Sequence, residues 1–150
     1  MLRRRLLRLI DVAAVTSAIE DAERGTTGEI RVSVSTFFWG NVRKAAEKAF
    51  QRLGMTDTEH RNGMLLFLVP SRRKFVVLGD EAIHQKVGQA FWEDVTAAVS
   101  ESFQKGDFTG GLIHAIGEAG RVLALHFPKN PDSNPNELPD EVDFGEKGRG

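Results

Sequence analysis

The chain has 150 residues, one domain's worth, enough to bury about 68–70% of the surface its unfolded form would expose. It is 41% hydrophobic and 27% charged, and it has no cysteine, which excludes disulfide scaffolds, thiolate metal sites and cysteine nucleophiles. Its 20 Lys+Arg against 21 Asp+Glu give a net charge of −1, without the basic excess that nucleic-acid binding normally needs. The charge is unevenly spread. Arg3, Arg4, Arg5 and Arg8 have no acid among residues 1–10, whereas Lys129, Lys147 and Arg149 face six acids over 128–150. A basic head and an acidic tail therefore flank a nearly neutral body.

Residues 1–10 are expected to be a basic extension. Leu6-Leu7-Arg8-Leu9-Ile10-Asp11 lacks the unbroken apolar stretch of a signal peptide, so the expected compartment is cytoplasmic. The longest apolar run, Met64 to Val69, is far short of the ~20 residues of a membrane span. Weak contact of the Arg-rich head with a membrane surface stays open.

Val12, Val15, Ile19 and Ala22 recur at helical spacing and predict an amphipathic helix over 11–24, ended by Gly25-Thr26-Thr27-Gly28. Ile30, Val32 and Val34 alternate with polar residues as a half-buried strand does. Gly40-Asn41 opens a second helix carrying Val42, Ala46, Ala49 and Leu53, closed by Gly54. Residues 64–69 are apolar at every position and predict a strand buried on both faces. Pro70-Ser71-Arg72-Arg73 turns the chain into a third strand, Phe75 to Leu78, ending at Gly79-Asp80. Beyond a short helix, Phe91, Val95, Val99 and Phe103 mark one long helix, and Leu112, Ile116, Ala119, Leu123 and Phe127 another. Pro128 closes the domain, expected over 11–128. Residues 129–150 are expected to be a polar, disordered tail.

The order predicts an α/β fold, a three-layer α/β/α sandwich with a small mixed sheet. The helix-containing connection over 37–62 is long enough for a right-handed parallel crossover, and the short turn makes the second and third strands antiparallel. One sheet edge then collects Glu29, Arg61-Asn62-Gly63 and Gly79-Asp80.

That edge is the candidate site. The chain has no G-x-x-x-x-G-K-[S/T], no G-x-G-x-x-G after a strand and no G-x-S-x-G. Gly106-Asp107-Phe108-Thr109-Gly110-Gly111 is expected to be a helix connection with Asp107 or Thr109 as N-cap. His60, His84, His114 and His126 lack metal-ligand spacing. Trp39 and Trp92 adjoin helical stripes and are expected in the core. Glu29 and Asp80 are carboxylates brought together from separate segments, an arrangement that suits calcium or magnesium. Asp57, Glu59, Asn62 and Arg61 are candidate additional ligands or phosphate contacts, and Asp80 alternatively caps the helix starting at Glu81.

Ile19-Glu20-x-Ala22-Glu23-x-x-Thr26-Thr27-Gly28-Glu29-Ile30-Arg31-Val32 resembles the opening signature of the TPM-domain family, the thylakoid-lumen-phosphatase-like domains of bacteria and plants. Phe50-x-x-Leu53-Gly54-Met55, Arg61-Asn62-Gly63-Met64-Leu65-Leu66 and Val76-x-x-Gly79-Asp80-x-x-Ile83 follow in the family's order. Phe91-Trp92, Phe103-x-x-Gly106-x-Phe108-x-x-Gly111-Leu112 and Phe127-Pro128 complete a match over 12–128. Asn136-Glu137-Leu138-Pro139-Asp140 resembles the tail of stand-alone bacterial members.

The resemblance implies the same α/β/α sandwich, with metal and active-site positions on acidic residues of the sheet edge, here Asp80 and Glu29. Some relatives are acid phosphatases, some bind calcium, and others are accessory proteins of membrane complexes. The membrane span and glycine-rich tail of many relatives are not in this sequence. Two functions follow as expectations. One is a calcium-binding accessory module that contacts a protein partner without catalysis. The other is a metal-dependent phosphatase acting on phosphate monoesters, with Arg61 or Arg72 on the phosphate.

Overall fold

The structure, a computed structural model, describes residues 3–36, 39–129 and 141–145. Helix α1 (Arg3–Leu9) precedes α2 (Val12–Glu23), and the break between them is set by Asp11, whose carboxylate accepts the Ala14 N–H as the N-cap of α2. Strand β1 (Glu29–Val34) leads to α3 (Val42–Arg52), capped by Asn41 through the Lys44 N–H. Strand β2 (Gly63–Val69), one 3-10 turn (Pro70–Arg72) and β3 (Lys74–Gly79) form a tight antiparallel pair. Three helices follow, α4 (Glu81–Lys86), α5 (Gln89–Gln104) and α6 (Phe108–His126). Asp107 rather than Thr109 caps α6; Thr109 Oγ1 instead accepts the Asp11 N–H. His114 is exposed and His126 ends α6.

The described strands form one sheet in the order β1-β2-β3. β1 and β2 are parallel, with Glu29 opposite Gly63; β2 and β3 are antiparallel, with Met64 opposite Gly79. Central β2 is buried at every position because helices cover both faces. Ile30, Val32, Met64, Leu66 and Val77 pack with α2, α5 and α6, while Leu65, Phe67, Val69 and Leu78 pack with Ala46, Ala49 and Phe50 of α3. The result is the expected three-layer mixed sandwich. α2 and α6 approach closely, since a Cβ on Gly120 would lie 2.7 Å from Ala22 Cβ. Among the described residues no helix is long and apolar enough to cross a membrane.

Four features depart from the sequence expectations. Strand β1, expected to be half-buried, is covered on both faces, with Glu29 and Ser33 buried beside Ile30, Val32 and Val34. Residues 3–9 are helical and Ile10 is buried in the main core, so the N-terminal extension is attached to the domain. Trp92 is buried as expected, but Trp39 is 74% exposed, because it precedes Asn41, the N-cap of α3, and so is no part of that helix's apolar stripe. Residues 141–145 return to the free side of β1. Val34 N donates to Asp143 O at 2.8 Å and Asp143 N to Val32 O at 2.9 Å, while Val142 and Phe144 enter the core. The expectations for 130–140, including the Asn136–Asp140 motif, and for 146–150 lie outside the described residues.

Candidate functional site

Crossover and hairpin bring the start of β1, the start of β2 and the end of β3 to one edge, as the topology predicts. Glu29 N donates to Asn62 O at 3.4 Å, and Asp80 N donates to Gly63 O at 2.9 Å. Glu29 and Asp80 therefore flank Gly63 on one row, roughly 10 Å apart at their Cα atoms from two strand spacings. Both residues are 5% exposed. Gly63 contributes no side chain between them, and Asn62, also buried, donates from Nδ2 to Thr27 Oγ1 at 3.1 Å.

Arg61 dominates the electrostatics. Its Nε donates to Asp80 Oδ2 at 2.6 Å and its Nη2 to Oδ1 at 3.0 Å, a bidentate pair, and Nη1 lies 3.6 Å from Glu81. Asp80 also accepts the Glu81 N–H at 2.8 Å, capping α4. The hydrogen bond to Asp80 is the main reason that the Arg61 guanidinium holds its proton more tightly than an ordinary arginine, with Glu81 and Asp57 adding to it. The Arg61 backbone sits at φ 51°, a left-handed conformation that a non-glycine residue takes only under local constraint. Here Asp80 on one side and the Ala82 N–H on the Arg61 carbonyl at 3.1 Å supply that constraint.

The expected residues thus separate. Glu29, Asn62, Asp80 and Arg61 meet at the edge, and Asp57 lies in the field of Arg61 from an exposed position. Glu59 faces solvent, 4.0 Å from His60. Arg61, expected as an extra ligand or phosphate contact, is instead the partner of Asp80. Its position two residues before β2, with Asp80 immediately after antiparallel β3, is the signal for that pairing.

The all-oxygen donor set suits a hard cation, which would have to compete with Arg61 for Asp80. Three N–H groups occupy the two oxygens of Asp80, and among the described residues no three His, Asp or Glu converge as metal ligands. The Arg61 guanidinium holds both oxygens that Asp80 would offer.

A groove of about 720 Å³ runs beside this edge between α3 and β3. Arg43, Lys44, Lys48 and His84 line it against Glu47, over a floor of Phe50 and Leu78. It supplies a basic cluster that the sequence did not make visible. A second clasp holds the tail: Arg52 Nη2 reaches Asp143 Oδ2 at 2.9 Å and Ser33 Oγ donates to the same oxygen at 2.8 Å. Burial pushes the Asp143 carboxyl up, but these two bonds outweigh it and leave the group below the ordinary Asp value.

The sequence model of the TPM domain matches residues 4–122. No curated protein matches the chain. Among solved structures, the BA42 protein of the psychrophilic bacterium Bizionia argentinensis is 35% identical, with a TM-score of 0.82 over 89% of this chain and 92% of that one. The N-terminal domain of the cg2496 protein from Corynebacterium glutamicum is 16% identical, with a TM-score of 0.59 over 83% of this chain and 78% of that one, a likeness of fold alone.

Proposed function

The chain belongs to the TPM-domain family, and from that premise we propose that it is a non-catalytic accessory module whose binding end is the Glu29–Asn62–Asp80 edge. One observation carries this reading. Asp80, the carboxylate best placed for chemistry, is 5% exposed and spends both oxygens on Arg61 and the α4 N-terminus. A carboxylate so engaged is neither a free base nor a free nucleophile. It is, however, a preorganised acceptor behind a removable plug, since the Arg61 side chain is 40% exposed. Divalent cations, calcium ahead of magnesium, are the ligand class that the oxygen set suits, and binding requires Arg61 to leave Asp80. Opening the clasp would change the edge that a protein partner meets.

The basic groove supports a second reading, hydrolysis of phosphate monoesters, because Arg43, Lys44, Lys48 and His84 would attract a phosphate group. That reading needs a nucleophile or an activated water facing the groove. Hydrolysis of p-nitrophenyl phosphate, measured between acid and neutral pH with chelator, calcium or magnesium, separates the two. The accessory reading expects no turnover above the protein-free blank under any condition. Turnover that is lost in Lys48→Glu and His84→Ala overturns it in favour of the phosphatase.

A further inference from the structure

We propose that the protein docks on anionic membrane surfaces through the end of the sheet opposite Asp80, with Trp39 entering the interface and the surrounding cations facing lipid phosphates. This rests on residues apart from the acidic edge and does not depend on the reading given to that edge. The exposed Trp39 follows Phe37 and Phe38 in the sequence, in the connection between β1 and α3. An indole left in water at that level gains most where an apolar body and a polar N–H are both satisfied, as at the headgroup layer.

A run of contacts joins Trp39 to the basic head. Arg72 Nη1 donates to Gly40 O at 2.8 Å, which fixes the Trp39 loop against the 3-10 turn. The next residue, Arg73, donates to Gln104 O at the end of α5. The α5–α6 connection then leads to Thr109, whose hydroxyl accepts the Asp11 N–H at 3.0 Å beneath α1. Arg4, Arg5, Arg8, Arg73, Lys74 and Lys105 are all exposed along this end. Against them stand Asp11 and Asp107, which cap helices and keep their charge, and Glu101, which pairs with Lys105, so the cations remain in excess. On α1 the arginines alternate with exposed Leu7 and Leu9, the mixture of cation and apolar side chain that an acidic lipid interface takes up.

The opposite end carries Arg24, Arg61, Lys86 and Lys129, but Asp21, Glu23, Glu29, Asp57, Glu59, Asp80 and Glu81 outnumber them. A chain with a net charge near zero is therefore polarised along the strands. An anionic surface would orient it with Trp39 inward and the acidic edge outward. The cations are spread over α1, the β2–β3 turn and the α5–α6 connection and share this end with exposed Trp39, Leu7 and Leu9, which favours a lipid surface over a nucleic-acid strand.

Flotation of the full chain with vesicles of phosphatidylcholine alone, or mixed with phosphatidylglycerol, tests this at low and high salt. Binding is expected to the anionic vesicles only and to fall with salt. The variant Arg4→Glu/Arg5→Glu/Arg8→Glu should lose about tenfold in partitioning. The control Arg24→Glu/Lys86→Glu/Lys129→Glu, with equal charge reversal at exposed sites of the other end, should change it less than about twofold. Trp39→Ser should abolish a vesicle-induced blue shift of the emission, against the constant background of buried Trp92. Equal melting temperatures establish that the variants are folded. Absence of binding at low salt, equal binding to neutral vesicles, or equal loss in both charge-reversed variants overturns the proposal. So does displacement by a single-stranded RNA oligonucleotide together with insensitivity to Trp39→Ser, which would assign this end to nucleic acid.

Discussion

Arg61 and Asp80 stand 19 residues apart, at the two open ends of the β2–β3 hairpin, and two hydrogen bonds of 2.6 and 3.0 Å close it. The pair does three things at once. It neutralises a buried carboxylate, holds Arg61 in a left-handed backbone conformation and anchors the first turn of α4. Asp80→Ala removes the helix cap, a loss of about 1 kcal/mol, and leaves the Arg61 guanidinium without its main acceptor. Asp80→Asn keeps a capping oxygen and should be milder.

Substitutions at Arg61 separate side chain from backbone. Arg61→Ala loses the ion pair and keeps the unfavourable φ of 51°, whereas Arg61→Gly loses the pair and relieves that cost. Urea titrations should therefore rank stability as wild type, then Arg61→Gly, then Arg61→Ala. Equal values for the two variants would show that the left-handed conformation carries no cost.

The Asp143 clasp gives a pH dependence. Its carboxyl is depressed in the folded chain, so the stability it contributes is fully present above the ordinary Asp value of about 4. That stability is lost as the pH falls through the lower folded-state value. The hydrogen-exchange protection factor of the Val34 N–H, which is held by the Asp143 carbonyl, should fall over that range before the sheet interior responds. Asp143→Asn should show fast exchange at Val34 at neutral pH and little further change on acidification.

The tail also contributes apolar burial. Phe144 and Val142 lie in the same core cluster as Val32 and Val34. Phe144→Ala should cost about 3 kcal/mol by thermal or urea unfolding. A cost near zero would show that residues 141–145 do not rest on β1 in solution.

Helix packing is equally specific at Gly120. A methyl group there meets Ala22 at 2.7 Å from its Cβ and 3.1 Å from its Cα, and the backbone of α2 cannot yield as a side-chain tip would. Gly120→Ala should destabilise by about 1–3 kcal/mol although alanine is the better helix former. Gly117→Ala in the same helix, with nothing within 4 Å, should stabilise or be neutral.

Strand order and the acidic edge were legible because connection lengths fix direction, and direction fixes which strand ends meet. Glu29, Gly63 and Asp80 needed no side-chain information to be placed on one row. The Arg61 clasp needs geometry that periodicity does not carry, so Asp80 looked available when it is engaged. Trp39 adjoins a helical stripe in sequence without belonging to it, because the helix starts only after the N-cap Asn41. Val142 and Phe144 are two apolar residues in an acidic, proline-rich stretch, too few to make a period. The basic groove is not legible in the sequence because Arg43, Lys44 and Lys48 of α3 meet His84 of α4 only in three dimensions.

Calcium titration of chelator-stripped protein, followed by amide NMR, tests most directly whether Arg61 plugs a cation-binding edge. Calcium should shift the amides of Glu29, Asn62 and Asp80 in the wild type. It should bind about tenfold more tightly in Arg61→Ala, where no guanidinium competes, and leave Asp80→Asn unmoved. Silent amides in both wild type and Arg61→Ala, or undiminished shifts in Asp80→Asn, would contradict it.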